Sequence, residues 1–131
     1  MVTGIKVQRK TEIIDMLCSC KGTCGSENYF QNLRDIGIDL KKNNGFIDAS
    51  NFGLALSSTE RLIILKALCE KDCCVCELEA ILDKSQSTVS HHLRKLERAE
   101  IVKGYKKGSF TYYTFLKDNF KRNLDFLSCF C

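Results

Sequence analysis

A mainly α-helical fold completed by a small antiparallel β hairpin is what the sequence predicts, and three observations lead there. Apolar residues recur at helical spacing along much of the 131-residue chain, as with Tyr29, Leu33, Ile36 and Leu40. Two short helices, over about 75–82 and 87–100, are separated by the polar turn Asp83-Lys84-Ser85-Gln86. The period then switches from helical to alternating: residues 101–107 and 110–115 read as strands joined around Gly108-Ser109. Helix, turn, helix and hairpin in that order define a winged helix-turn-helix.

Residues 1–10 read as an arm, followed by a helical fragment with Ile13, Ile14 and Leu17 that runs into a loop at Cys18-Ser19-Cys20-Lys21-Gly22-Thr23-Cys24-Gly25-Ser26. The next helix is expected from about Asn28 and should stop at Asn43-Asn44-Gly45. Ser57-Ser58-Thr59-Glu60 is a capping pattern that opens a further helix, with Leu62, Leu65, Leu68 and Cys69 as its apolar positions. Val89, Leu93 and Leu96 give the helix over 87–100 one buried stripe. From Lys117 the tail is helical again, placing Leu116, Phe120, Leu124, Leu127 and Cys131 near one face. That face is apolar for a terminal helix, and a two-fold interface with a second copy would bury it. The expected organisation is an amino-terminal arm and helix with a cysteine cluster (1–27), a winged helix-turn-helix domain (28–116) and a dimerisation helix (117–131).

Apolar residues make up 44% and charged residues 27% of the chain, so most of it should fold and the low-hydrophobicity, high-charge signature of disorder is absent. No apolar run approaches membrane-spanning length, and the opening Met1–Val7 lacks the apolar core of a secretory signal, so a soluble cytoplasmic protein with no membrane partner is expected. Nine cysteines fall in three clusters: Cys18, Cys20 and Cys24; Cys69, Cys73, Cys74 and Cys76; Cys129 and Cys131. In a reducing compartment, clustered thiols read as soft-metal ligands or redox switches. Cys69 and Cys73 read more readily as small buried hydrophobes.

The net charge of +4 identifies no partner until its distribution is read. Residues 60–83 carry three basic against six acidic side chains, whereas residues 84–107 carry seven against two. A basic helix-turn-helix with a basic hairpin suits double-stranded DNA, where cations neutralise phosphates and a helix enters the major groove. Ser87, Thr88 and His91 stand near the start of the second helix, the end that faces DNA in this motif. Ser90, Arg94 and Lys95 extend its polar side. Lys106 and Lys107 at the hairpin tip suit the phosphate backbone or minor groove, while Tyr112 or Tyr113 orients the hairpin by packing. His92 stands beside His91, and one of the pair can close a hydrogen bond to neighbouring backbone; neither points to catalysis. No set of nucleophile, base and oxyanion donor assembles, so an enzyme is not expected.

Cys74-Val75-Cys76-Glu77-Leu78, followed by Ser87-Thr88-Val89-Ser90-His91-His92-Leu93-Arg94-Lys95-Leu96, resembles the ArsR/SmtB family of transcriptional repressors, and the likeness runs from about Leu56 to Phe115. The resemblance implies a homodimeric repressor that leaves operator DNA when an inducer binds. It implies Cys74 and Cys76 as the sensing thiolates; where the arsenic-sensing pattern has a third cysteine, three residues after the second, this chain has Glu79. The missing ligands are then sought at Cys18, Cys20 or Cys24, as in the cadmium- and lead-sensing branch. Thiolates suit arsenic(III), cadmium or lead, with zinc also possible, and a helix start can lower a thiol pKa. The family's paired site on the last helix would find Asp118 but no histidine after His92. Cys129 and Cys131 form a possible second thiol site. A thiol-based redox regulator and a zinc-binding structural module are the alternative readings.

Overall fold

The computed structural model describes residues 6–21 and 26–131. They fall into two compact units, Met1–Asn43 and Asn44–Cys131. No helix among the described residues is long and apolar enough to cross a membrane.

The first unit is a pair of helices, α1 (Val7–Lys21) and α2 (Ser26–Lys42). α1 begins inside the expected arm and continues through Cys18-Ser19-Cys20, where a loop was expected. Ser19, a hydroxyl within the expected loop, bonds back along the helix instead, its Oγ donating to the Asp15 carbonyl at 3.1 Å. Cys24 lies outside the described residues. In α2 the buried residue is Phe30, while the recurring Tyr29, Leu33, Ile36 and Leu40 stay exposed. The helical period was therefore correct, although its apolar stripe is not the buried face.

The second unit holds α3 (Asn44–Leu56), α4 (Thr59–Glu70), β1 (Cys73–Cys74), α5 (Val75–Leu82), α6 (Gln86–Arg98), β2 (Val102–Lys107), β3 (Phe110–Phe115) and α7 (Lys117–Ser128). Its antiparallel sheet has the strand order β1-β3-β2. This is the expected mainly α fold with a small antiparallel sheet. The expected break at Asn43-Asn44-Gly45 is a single residue, after which α3 starts and sends Phe52 and Ala55 into the core. On α4, Ser58 caps the helix by accepting from the Arg61 amide at 3.4 Å. The buried face is Arg61, Ile64, Leu65 and Leu68; Leu62 and Cys69, expected on it, are exposed. Val89, Leu93 and Leu96 of α6 close the core beneath Ile101 and Val102, as the stripe predicted.

The last helix is less bare than the sequence implied. α3, absent from that expectation, packs against α7. Phe120 makes edge contacts with Phe52 and Phe115, both at 5.2 Å between ring centroids. Leu124 and Phe130 remain 46% and 63% exposed.

Between α6 and β2 the chain passes through Glu100 in the left-handed region, φ 57°. A β-carbon is disfavoured there, so Glu100→Gly is expected to stabilise the protein by about 0.5–1 kcal/mol despite glycine's greater unfolded freedom. Urea unfolding midpoints at constant slope check it.

Candidate nucleic-acid interface and thiol site

The helix-turn-helix starts from local chemistry. Asp83 adopts the left-handed conformation (φ 52°, ψ 49°) that ends α5, a conformation that aspartate tolerates better than most residues. Ser85 then caps α6, its Oγ accepting from the Thr88 amide at 3.3 Å and lying 3.1 Å from Ser87 Oγ and 3.0 Å from Thr88 Oγ1. With Val89, Leu93 and Leu96 turned inward, the helical repeat sends Ser87, His91, Arg94 and Arg98 to the opposite side, where all four are exposed. Thr88, Ser90 and Lys95 are half-buried on the flanks. Arg98 was missed by the sequence reading, although its spacing of seven from His91 was the signal that could have found it. Lys95 lies toward α3, lining a cavity with Asn51, Leu54 and Arg98. The His91 ring is held below its ordinary pKa by desolvation first and then by the cations Lys95, Arg94 and Arg61, with His92 also contributing.

The hairpin pairs Lys106 with Thr111 and Lys107 with Phe110, and Gly108 turns the tip at φ 64°. Lys106 is exposed at the tip, whereas Lys107 reaches back over the Tyr112 ring, 5.4 Å from its centroid. Tyr112 stacks on Tyr105 at 6.0 Å, and the Tyr105 hydroxyl donates to Asp72 Oδ2 at 2.6 Å. Tyr112 thus orients the wing by packing. Tyr113 does so too, its ring so close to Gly104 that a β-carbon there would lie 3.0 Å from Cε1.

Cys74 ends β1 and caps α5, and is 6% exposed. Its Sγ lies 2.8 Å from that of Cys76, which is exposed. β1, too short to show a period in the sequence, pairs Cys73 with Tyr113 and Cys74 with Tyr112, so the thiol segment is a strand of the wing's own sheet. A cavity of about 390 Å³ beside the two sulfurs is also lined by Glu79, Gln86, Lys106 and Ser109. It therefore touches the start of α6 and the tip of the wing.

The thiol chemistry differs from expectation. The Cys74 thiol is pushed up, by its hydrogen bond with Cys76 first and by burial second, and these outweigh the helix start that was expected to lower it. Burial also raises Cys73, which is fully enclosed and fits the small-hydrophobe reading; Cys69 is exposed and does not. Among the described residues no group of three or more His, Cys, Asp and Glu side chains is close enough to hold a metal ion. The described structure thus brings Cys74 and Cys76 together and offers no third ligand beside them. In α1, Cys18 is half-buried and Cys20 exposed; two apart on a helix, they do not face each other. Cys129 and Cys131 are exposed at the end of the chain.

Glu77 locks the segment. Its carboxylate accepts from the Cys74 amide at 3.0 Å and pairs with Lys71 Nζ at 2.5 Å. Lys71 first, and then the Cys74 amide, lower its pKa from 4.5 to about 2. A depressed carboxylate stabilises the fold fully above its unfolded value and loses that contribution as pH falls through the folded one. Glu77→Gln is therefore expected to flatten the acid dependence of stability between pH 4.5 and 2, read as urea midpoints across that window.

A capped, outward-facing basic helix beside a basic hairpin defines a winged helix-turn-helix transcriptional regulator. The family profile described as "Bacterial regulatory protein, arsR family" matches residues 58–103. A transcriptional repressor SmtB homolog of Synechocystis sp. (strain PCC 6803) is 40% identical over 96 residues, 73% of this chain and 72% of that one. The cadmium resistance transcriptional regulatory protein CadC of Listeria innocua is 41% identical over 70 residues, 53% of this chain and 58% of that one. Among solved structures, NolR from Sinorhizobium fredii superposes with a TM-score of 0.56 at 30% identity, covering 67% of this chain and 88% of its own. The chain belongs to the ArsR/SmtB family of transcriptional repressors.

Proposed function

We propose that this chain is a homodimeric repressor that holds operator DNA through α6 and the wing and releases it when Cys74 and Cys76 bind arsenic(III), cadmium or lead, with zinc a weaker candidate. The observation that carries the reading is the cavity itself. Two sulfurs 2.8 Å apart share one space with Gln86 at the start of α6 and Lys106 of the wing, so a ligand held there adjoins both DNA-facing elements. Ser87, His91 and Arg94 are assigned to the DNA face, with Thr88, Ser90 and Lys95 on its flanks and Lys106 and Lys107 on the wing. The exposed Leu124 of α7 and Phe130 just after it support burial of this end of the chain against a second copy.

Two thiolates fit part of the donor set. Trigonal arsenic(III) takes three, and cadmium or lead three or four. The remainder is assigned to Cys18, Cys20 or Cys24, in keeping with the cadmium resistance in the name of the Listeria relative. Because the Cys74 thiol is raised, coordination must displace its proton, and apparent affinity should rise with pH. Binding can weaken DNA affinity only if the ion prefers the DNA-free arrangement, a coupling of about 1–3 kcal/mol in typical cases. The test is operator binding by fluorescence anisotropy with fully reduced protein, in separate titrations of arsenite, cadmium, lead and zinc. Release by at least one thiophilic ion supports the reading, and retention of DNA with all four rejects it.

The same sulfur proximity supports a second reading, a redox switch. Intact-mass measurement after mild oxidation separates the two: a two-proton loss coupled to DNA release favours a disulfide, and a bound ion favours coordination.

A further inference from the structure

Arg61 is the one buried charged side chain among the described residues, 5% exposed in the first turn of α4, at the start of an otherwise apolar buried face. A buried guanidinium is costly unless its donors are satisfied, and here every partner is identifiable. Nε donates to the Ala55 carbonyl at 2.7 Å and Nη2 to that of Leu54 at 3.2 Å. These carbonyls belong to the last turn of α3, where intrahelical donors run out; that of Leu54 also accepts from the Ser57 amide at 3.2 Å and from Ser57 Oγ at 2.7 Å. Nη1 lies 3.0 Å from Nδ1 of His92, which is on α6 and has only 12% of its side chain exposed.

That last contact fixes the chemistry of the histidine. A guanidinium has donors and no acceptor, so Nδ1 must carry the lone pair. The ring proton is then on Nε2, which donates to Glu60 Oε2 at 2.5 Å. Glu60 is held below the ordinary carboxylate range, chiefly by this bond, and its other oxygen lies 3.7 Å from Lys84 Nζ. The result is a directed chain from the end of α3 through α4 to α6 and the turn before it. These partners hold the His92 ring in one orientation, with Nδ1 toward Arg61 and Nε2 toward Glu60.

We propose that Arg61, His92 and Glu60 form a clasp that sets the rotation of α6, making His92 a positioning residue for sequence reading and not a DNA contact. The apolar stripe of α6 is three residues, and apolar contact is non-directional; the two hydrogen bonds of His92 supply the missing direction. His92 occupies the flank between the buried Leu93 and the exposed His91 and Arg94, so holding its ring fixes where those two point. Reading bases requires that orientation to within about 10–20°, whereas attraction to phosphates does not. The clasp should accordingly govern discrimination between DNA sequences more than general DNA affinity.

The inference rests on the DNA-binding reading of α6, and two measurements keep the two separate. The first compares a duplex enriched from random sequence by the wild-type protein with a scrambled duplex of equal length, at fixed salt and with full-length reduced protein. His92→Ala should lose about tenfold or more on the enriched duplex, the scale of a hydrogen bond to a charged partner, and within about threefold on the scrambled one. His92→Gln, whose amide offers one acceptor and one donor, should recover most of the loss. Glu60→Ala should act in the same direction, and the double variant His92→Ala/Glu60→Ala should lose less than the two single losses combined. Equal losses on both duplexes, no rescue by glutamine, or strict additivity would each overturn the clasp. The second measurement needs neither variants nor DNA: long-range ¹⁵N–¹H correlation of the wild-type protein at pH 7 should show His92 with Nε2 protonated and Nδ1 bare. A proton on Nδ1, or averaging between tautomers, overturns the proposal even if DNA binding is intact. Failure of the wild-type protein to enrich any duplex, with the tautomer as stated, would instead reject the DNA-binding reading.

Discussion

Replacing Cys74 and Cys76 together with serine is expected to leave operator affinity within about threefold of wild type and to remove most of the release caused by the inducing ion. The fold should tolerate the change because Cys74 caps α5, and serine is among the preferred residues at that position. Its hydroxyl is close in size to the thiol, so the buried end of β1 gains no large cavity. The soft donors are lost, and with them the ability to bind arsenic(III), cadmium or lead at neutral pH. Anisotropy titrations with each ion check the response, and the melting temperature checks the fold. The triple variant Cys18→Ser/Cys20→Ser/Cys24→Ser should lose the response as well if these residues complete the donor set. Mixing the two variants asks whether the site crosses a dimer, since a heterodimer then regains one intact set. Full ion-dependent release in both would move attention to Cys129 and Cys131.

Arg94→Ala should weaken operator binding by about tenfold or more, in the range of 1–3 kcal/mol for a well-placed arginine contact. Arg94 is exposed on the outer face of α6 and makes no ion pair among the described residues, so its removal opens no cavity and strands no partner. Lys95 is different. It is half-buried toward α3, and Lys95→Ala should cost less in DNA affinity while shifting the melting temperature through lost stem packing. The double variant should keep its association state. If both residues meet phosphate, each removal should also reduce the salt slope by about one. Equal effects from the two substitutions would place the DNA face further round the helix than the exposure of Arg94 implies.

The elements that carry these predictions were readable because their signals are strong and local. The bounds of α5 and β3 follow directly from the polar turn at 83–86 and from the alternation of Phe110–Phe115. The cap of α4 could be placed from its serines. What escaped was short or non-local. α3 is separated from α2 by one residue and contains two glycines, so the break signal at Asn43-Asn44-Gly45 masked a helix whose Phe52 and Ala55 reach the core. β1 has two residues and exists only because Tyr112 and Tyr113 lie opposite. The thiol pair was legible from its spacing at a helix start, but the direction of the Cys74 pKa was not, because burial and the Cys76 contact form only on folding. Arg61 reads as a solvent-facing charge until α3 supplies carbonyls and α6 supplies His92, 31 positions later.

On the proposed reading, coordination at Cys74 and Cys76 and departure of DNA are one coupled event. That coupling is tested most directly by a single anaerobic titration in which sulfur-to-metal charge-transfer absorption and operator anisotropy are recorded on the same sample. If the coupling holds, the absorption band and DNA release rise together, saturate at the same ion-to-protein ratio, and are both absent from the Cys74→Ser/Cys76→Ser variant. A band that saturates while the operator stays bound, or release that persists in that variant without the band, contradicts it.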